Sequence, residues 1–130
     1  MPRTVSPVTR GFTVVELLVV LAAIGLLLAV AAPRYVQHID RAREVALRQD
    51  LFQMREAIDK FYGDQQRYPA TLGELVTRRY LRQVPEDPLT GSVDSWVTQA
   101  TPASATPAGV VDVHSGAAGV AQDGSAYASW

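Results

Sequence analysis

The sequence predicts an α+β fold: a long, kinked N-terminal helix followed by a small domain with a short helix and a short antiparallel sheet. Three patterns support this fold class. Residues 17–32 are apolar without interruption, and residues 34–63 then show the apolar spacing of an amphipathic helix. The last third instead contains short alternating segments separated by turn residues. With 130 residues in all, the chain has room for one small core.

Charge is distributed unevenly along the chain. Residues 34–82 contain ten basic and seven acidic side chains, whereas residues 83–130 contain five acidic side chains and no Lys or Arg. Binding to a nucleic-acid backbone requires clustered cations, so we expect no nucleic-acid partner. The chain also has no cysteine, which excludes disulfides, thiolate metal sites and a cysteine nucleophile.

The N-terminal end has the composition of a segment that meets a membrane. Residues 1–11 are short, polar and basic, with Arg3 and Arg10. The 21 residues from Phe12 to Ala32 are mostly apolar and would span roughly 31 Å as a helix, close to one hydrocarbon core. We therefore predict a leader over residues 1–11 and a membrane-spanning segment over residues 12–33.

An amphipathic helix is predicted to continue the span over residues 34–63. Its core stripe, at alternating spacings of four and three, is Leu47, Leu51, Met54, Ile58 and Phe61. Glu44 before Arg48 and Glu56 before Lys60 predict solvated ion pairs on the other faces. Because a proline kink is tolerated in lipid or against another helix, we expect a bend between Gly25 and Pro33. Gly63 is predicted to end the helix.

A small α+β region is predicted over residues 64–130. Thr71 and Glu74 form a helix-start signal for a short helix within residues 70–80. Residues 95–99, 109–114 and 125–130 have the length and alternation of strands. Asp87 and the pair Asp123-Gly124 are predicted to form turns.

Glu16 is the residue that most needs an explanation. A carboxylate at the start of an apolar span is costly in a membrane unless it has a partner or a function. The following span contains no basic residue that could pair with it.

Residues 11–16, with the sequence GFTVVE, resemble the class III signal peptide of type IV prepilins and type II secretion pseudopilins. The resemblance implies that a prepilin peptidase cuts after Gly11 and methylates the new N-terminal residue, Phe12. It also implies that Glu16 pairs with the Phe12 amine of a neighbouring subunit during assembly. Gly25 and Pro33 match positions where such helices carry Gly and Pro, and would loosen the helix in a filament.

Residues 68–96 are similar to the major, or G-type, pseudopilins, as is the C-terminal segment from Gly109 to Trp130. The resemblance implies a structural subunit of a type II secretion pseudopilus and no enzymatic activity. Its implied partners are other copies of itself, minor pseudopilins, the prepilin peptidase and N-methyltransferase, an inner-membrane assembly platform with its ATPase, and the lipid bilayer. It places the chain in the bacterial inner membrane as a single-pass protein with a periplasmic C-terminal domain.

Calcium is a further expectation from the resemblance, because G-type pseudopilins often hold calcium in an acidic C-terminal loop. In this sequence, residues 117–119 are Ala-Ala-Gly and lack the expected carboxylates. Asp112, Ser115 and Asp123 could supply only part of the six to eight oxygen ligands that calcium takes.

Two alternatives remain open from the sequence. One is a type IV pilin, major or minor, that serves motility, adhesion or DNA uptake. The other is a soluble periplasmic domain released by an ordinary signal peptide, which would place the mature N-terminus at Ala32. The sequence contains no catalytic constellation of side chains that would favour an enzyme.

Overall fold

A computed structural model of the chain describes residues 1–5, 10–105 and 107–130. The chain divides into two compact units, Met1–His38 and Ile39–Trp130. One helix, α1 (Val14–Gln65), supplies residues to both units and is 52 residues long. The helix continues through Pro33 without interruption, so the chain has the single long N-terminal helix that the sequence predicts. The predicted bend in this helix and the functional boundary at residue 33 stay predictions.

The C-terminal end of α1 differs from the prediction. Gly63 lies inside the helix, which extends to Gln65. The left-handed conformation that ends a helix is adopted by Gln66, with a φ of 54°. Its side-chain amide donates to the Gly63 carbonyl oxygen at 3.0 Å, and its backbone N–H donates to the Tyr62 carbonyl oxygen at 2.9 Å. The side-chain bond satisfies a helix-end carbonyl that a glycine at position 66 would leave to water.

The second unit buries the stripe predicted on α1. The predicted stripe residues are at most 2% exposed, and they are Leu47, Leu51, Met54, Ile58 and Phe61. The Lys60–Glu56 ion pair is also present, at 3.2 Å. The prediction that Glu44 is solvated is wrong, because this residue is only 9% exposed. Its Oε1 accepts from the Gln122 backbone N–H and from the Tyr127 hydroxyl, both at 2.9 Å, which compensates the burial.

The short helix predicted after α1 is confirmed as α2 (Leu72–Thr77). Thr71 caps its start by accepting from the Glu74 backbone N–H at 3.3 Å. The Glu74 carboxylate reaches back to the Ala70 backbone N–H at 2.7 Å. Leu75 is fully buried and packs α2 onto the core of the second unit.

Two of the three predicted strands form. β1 (Val97–Ala100) and β2 (Val110–His114) pair antiparallel, with Val97 opposite His114 and an irregularity between Gln99 and Ala100. Val110 and Val113 of β2 are buried in the core, whereas β1 is exposed along its length. The α+β fold class is therefore confirmed.

The strand predicted over residues 125–130 is wrong. Tyr127–Ser129 is a short 3₁₀ helix, and among the described residues the strand pairing near it consists of one bridge between Val120 and Ala126. The Trp130 backbone N–H donates to the Tyr127 carbonyl oxygen at 3.1 Å. This bond closes a 3₁₀ turn, so the two groups do not take part in strand pairing. The predicted turn at Asp123-Gly124 is present, with Gly124 at a φ of 84°.

Candidate processing and assembly segment

The predicted cleavage junction, Gly11 and Phe12, lies outside regular structure. Both residues precede the first residue of α1, and the Phe12 side chain is 86% exposed. Within the part of the chain that the structure describes, no atom outside its immediate neighbours lies within 4 Å of where a Cβ would stand on Gly11. A peptidase needs accessible backbone outside regular structure, and Gly11 and Phe12 have both properties.

Thr13 is a residue of this segment that the sequence reasoning missed. Its Oγ1 accepts from the Glu16 backbone N–H at 3.1 Å, and its carbonyl oxygen accepts from the Leu17 N–H at the same distance. Thr13 therefore caps α1, and Glu16 stands at the third helical position. The signal was present as a Thr-x-x-Glu capping box, which places an acidic residue near the positive end of the helix dipole.

The Glu16 carboxylate is exposed and available to a partner. Among the described residues, no cation lies within ion-pairing distance of it. Capping accounts for a polar residue at this position, because the first turn has unpaired N–H groups. It does not provide the counter-charge that a carboxylate needs in a membrane.

Gly25 and Pro33 both lie within α1. A glycine in a helix often allows another helix to approach closely. At Gly25, no atom of the described residues outside the helix lies within 4 Å of where a Cβ would stand, so this chain does not supply such a neighbour. Pro33 lacks an N–H and leaves the Ala29 carbonyl oxygen without its usual helical donor. Both positions therefore lower the intrinsic stability of the helix in this stretch.

The surface between Glu16 and Pro33 is apolar and bare. Large hydrophobic side chains from Leu17 to Val30 are exposed by about half or more, and none of the 18 most apolar consecutive residues of the helix is buried. The helix is long and apolar enough to cross a membrane, a property that a signal sequence near an N-terminus shares. An exposed patch of this extent requires lipid or protein to cover it. It is compatible with a single-pass membrane anchor.

The three predicted calcium ligands lie in the second unit, and each is held by other protein groups. Asp112 Oδ1 accepts from Arg55 Nε at 2.8 Å. The Ser115 hydroxyl donates to Asp87 Oδ2 at 2.6 Å. Asp123 accepts from the backbone N–H and hydroxyl of Ser125 and pairs with Arg48 at 3.2 Å. The Ser125 hydrogen bonds and the Arg48 charge lower the pKa of Asp123.

These donors do not fit a calcium shell. Both carboxylates already face guanidinium groups, and Ser115 is 1% exposed and its hydroxyl already accepts from the Ala117 backbone N–H at 3.1 Å. Over the described residues, no group of three or more His, Cys, Asp or Glu side chains could hold a metal ion. Calcium binding stays a prediction, and the proposed processing and assembly do not depend on it.

Comparison with known proteins gives two kinds of relative. The type II secretion system core protein G of Klebsiella michiganensis is 30% identical over 98 residues, which cover 63% of this chain and 69% of that protein. Core protein G of Pectobacterium carotovorum is 30% identical over 95 residues and 61% of its length. The type IV major fimbrial protein FimA of Dichelobacter nodosus is 42% identical over 50 residues, or 32% of its length.

A further relative is the type IV major pilin protein PilA of Myxococcus xanthus, 31% identical over 70 residues and 32% of its length. The chain thus spans about three fifths to two thirds of the core proteins G and about one third of the pilins. No protein-family model matches the sequence, and no solved structure matches it. The relatives bear the names of filament and secretion-system proteins, and none is named as an enzyme.

Proposed function

Because this chain belongs to the pilin-like family of type II secretion core proteins G and is a structural subunit, we propose that it polymerises into a pseudopilus for protein export. The extent of the similarity supports this proposal most directly. The matches cover 61 to 63% of this 130-residue chain, which is more than the 52 residues of α1, so they extend beyond that helix. The pseudopilin branch is therefore favoured by sequence beyond the assembly helix.

Processing is the first proposed step. The peptidase cuts between Gly11 and Phe12, in the exposed segment ahead of α1, and leaves Thr13 to cap the helix of the mature chain. The cut releases a cationic amine on Phe12. The same enzyme then methylates this amine, and the positive charge is retained.

Assembly is the second proposed step. In a membrane, a carboxylate and an ammonium group are each costly alone, and pairing them recovers much of that cost. Glu16 of an incoming subunit pairs with the Phe12 amine of its neighbour and thereby sets the register between subunits. The exposed apolar surface from Leu17 to Val30 packs against lipid before assembly and against other helices afterwards. Gly25 and Pro33 let the helix adjust to this packing.

The remaining partners follow from the same proposal. The chain is held in the inner membrane by α1, with the second unit in the periplasm. An assembly platform and its ATPase extract subunits from the bilayer, and minor pseudopilins start or cap the filament. The growing filament moves substrates through an outer-membrane channel.

The test is intact-mass and N-terminal analysis of the membrane-fraction protein, from cells with and without the prepilin peptidase. We expect a methylated Phe12 start that disappears without the peptidase. A start at Ala32 in the soluble fraction would overturn the proposal and favour the signal-peptide alternative. A start at Met1 in both strains would exclude the pilin-like pathway.

Assembly is tested separately with Glu16→Gln, which removes the charge while Thr13 can still cap the helix through the backbone N–H of residue 16. We expect normal cleavage and the loss of most filaments. Glu56→Gln, an exposed carboxylate of the same helix, is the matched control and should leave filaments intact. Equal filament yields from the two variants would contradict the role of Glu16.

A type IV pilin is the second candidate, and the higher identity to FimA favours it. That match, however, covers 50 residues and is no longer than α1 itself. The two functions separate in a deletion strain: loss of an exported enzyme from the medium indicates a pseudopilin, whereas loss of surface fibres, twitching or DNA uptake indicates a pilin.

A further inference from the structure

Phe52 is an aromatic side chain that the fold leaves uncovered. It follows the buried Leu51 on α1 and is 66% exposed. With Arg48, Arg55 and Trp130 it borders a cavity of about 390 Å³, whose lining also includes the acidic residue Asp123. Phe52, Arg48, Arg55 and Trp130 are called the Phe52 patch. Aromatic and arginine side chains are the types most enriched at the energetic centres of protein interfaces.

The residues around Phe52 are held in place by contacts within the second unit. The Arg48 guanidinium lies 4.1 Å from the centre of a Trp130 ring, and Arg55 Nη2 donates to the Trp130 main-chain oxygen at 2.7 Å. The Arg48 side chain pairs with Asp123 at 3.2 Å but remains 60% exposed, and a guanidinium has five N–H donors, so it can also bind a second carboxylate. A surface that is already ordered loses little conformational entropy when it is covered.

A second surface of the same unit is an apolar cavity. It has a volume of about 420 Å³, and the larger apolar side chains that border it are Leu72, Val84, Val93, Trp96 and Val110. They are called the Trp96 pocket. The Trp96 indole N–H donates to the Pro85 carbonyl oxygen at 2.7 Å, so its polar atom is satisfied and its ring can serve as an apolar wall. The cavity volume is within the range that holds small ligands and single side chains.

Asp94 gives the Trp96 pocket a negative rim. It lines the same cavity and is exposed. Its backbone N–H donates to the Ser92 hydroxyl at 3.1 Å, which fixes the loop. Within the described ranges of the chain, no cation lies close enough to its carboxylate to form an ion pair. The rim is therefore opposite in charge to the arginines of the Phe52 patch.

We propose that Phe52 of one copy of this chain seats in the Trp96 pocket of a second copy, with Arg48 of the first facing Asp94 of the second. The two surfaces are different parts of the same unit, so the contact is head-to-tail. Such a contact leaves the first copy with a free pocket and the second with a free Phe52, so it can propagate into an open filament instead of a closed dimer. The inference rests on the proposed filament function and locates one of its contacts outside the membrane.

Cysteine crosslinking can test this contact cleanly, because the full chain contains no cysteine. Full-length chains with Phe52→Cys and with Val93→Cys are co-expressed, filaments are isolated, and a copper–phenanthroline oxidant is added. We expect a disulfide-linked dimer only when both variants are present, because contact raises the effective concentration of the two thiols. Val120→Cys is the matched control for the pocket position: it is 64% exposed but lies outside the pocket. The Val93 pair should give about tenfold more dimer than the Val120 pair if the thiols meet at a defined contact.

A charge reversal provides a second measurement that keeps both thiols. Asp94→Lys, added to the Val93→Cys chain, should lower the dimer yield about fivefold, because two like charges would then face each other. Filaments that form without Phe52–Val93 crosslinking, or with equal crosslinking to Val120, would overturn the contact and leave the filament function standing. The absence of both filaments and crosslinks in the otherwise native chain would overturn both proposals.

Discussion

Arg55 Nη2 lies 2.7 Å from the main-chain oxygen of Trp130, a residue 75 positions further along the chain. The same nitrogen donates to the Val113 carbonyl oxygen at 2.8 Å, and Nε pairs with Asp112 at 2.8 Å. One guanidinium of α1 thus binds β2 and the C-terminal 3₁₀ segment together. Arg is suited to this position because its donors point in fixed, divergent directions.

Replacing Arg55 should therefore destabilise the second unit. For Arg55→Met we expect the free energy of unfolding to fall by about 2 kcal/mol, since Asp112 and two carbonyl oxygens lose a charged donor at a half-exposed site. Arg55→Lys should recover only part of this, because an ammonium group cannot span the same acceptors. Urea unfolding of the full chain in detergent micelles, followed by tryptophan fluorescence, measures the difference. Arg43→Met, at an exposed position of α1, is the control, and an equal effect there would contradict the role of Arg55.

Local sequence signals predicted the helices of this fold well. The Thr71 cap and its Glu74 partner are three residues apart, and the core stripe on α1 repeats every three or four residues, so both are visible within a short window. The Gly63 prediction failed because Gln66 can satisfy the helix-end carbonyls with its own side chain. Local propensity is a weak constraint when a nearby side chain offers another solution.

Contacts between residues far apart in the sequence determine the features that local patterns did not predict. Glu44 fits a solvated pair with Arg48 by spacing, yet it is buried because Gln122 and Tyr127, about 80 residues away, bind its carboxylate. Trp130 was expected in a strand, but its indole donates to Ser125 and faces Arg48. The assembly residues Gly11, Phe12 and Glu16 were found from a motif, and what they do depends on a second copy of the chain.

Asp87 should be the most sensitive acidic residue of the second unit. It is fully buried, and its carboxylate accepts from the Leu89 backbone N–H and the Ser115 hydroxyl at 2.8 and 2.6 Å. Asp87→Asn removes the negative charge and replaces one acceptor oxygen with a donor, so the Ser115 hydroxyl can no longer donate to it and the charge-assisted bonds of the carboxylate are lost. We expect a loss of about 2–3 kcal/mol in the free energy of unfolding. Asp94→Asn, on the exposed rim of the Trp96 pocket, should change it by less than about 0.5 kcal/mol. Similar losses in the two variants would show that burial of Asp87 does not matter.

Glu74 should make stability depend on pH. Its carboxylate pairs with Arg67 at 2.5 Å and accepts from the Ala70 N–H, and these contacts lower the pKa of Glu74. A carboxyl whose pKa is lower in the folded state stabilises the fold above its unfolded pKa, and this contribution is lost as the pH falls through the folded pKa. We expect Glu74→Gln to flatten the decline in unfolding free energy between pH 7 and about pH 3. Glu56→Gln, from a more exposed pair, should leave that decline unchanged. An unaltered slope in Glu74→Gln would contradict this assignment.

Thr13 should stabilise the first turn of α1 independently of the charge on Glu16. Its Oγ1 is the acceptor for the Glu16 backbone N–H, so Thr13→Ala removes the cap and leaves the carboxylate in place. The first turn should be destabilised by about 1 kcal/mol, which corresponds to roughly fivefold faster amide hydrogen exchange at Glu16. Thr13→Ser keeps a hydroxyl at the same position and should exchange at nearly the native rate. If Thr13→Ala instead exchanges like the native chain, Thr13 does not cap the helix, and Glu16 is held in its place by something other than the capping box.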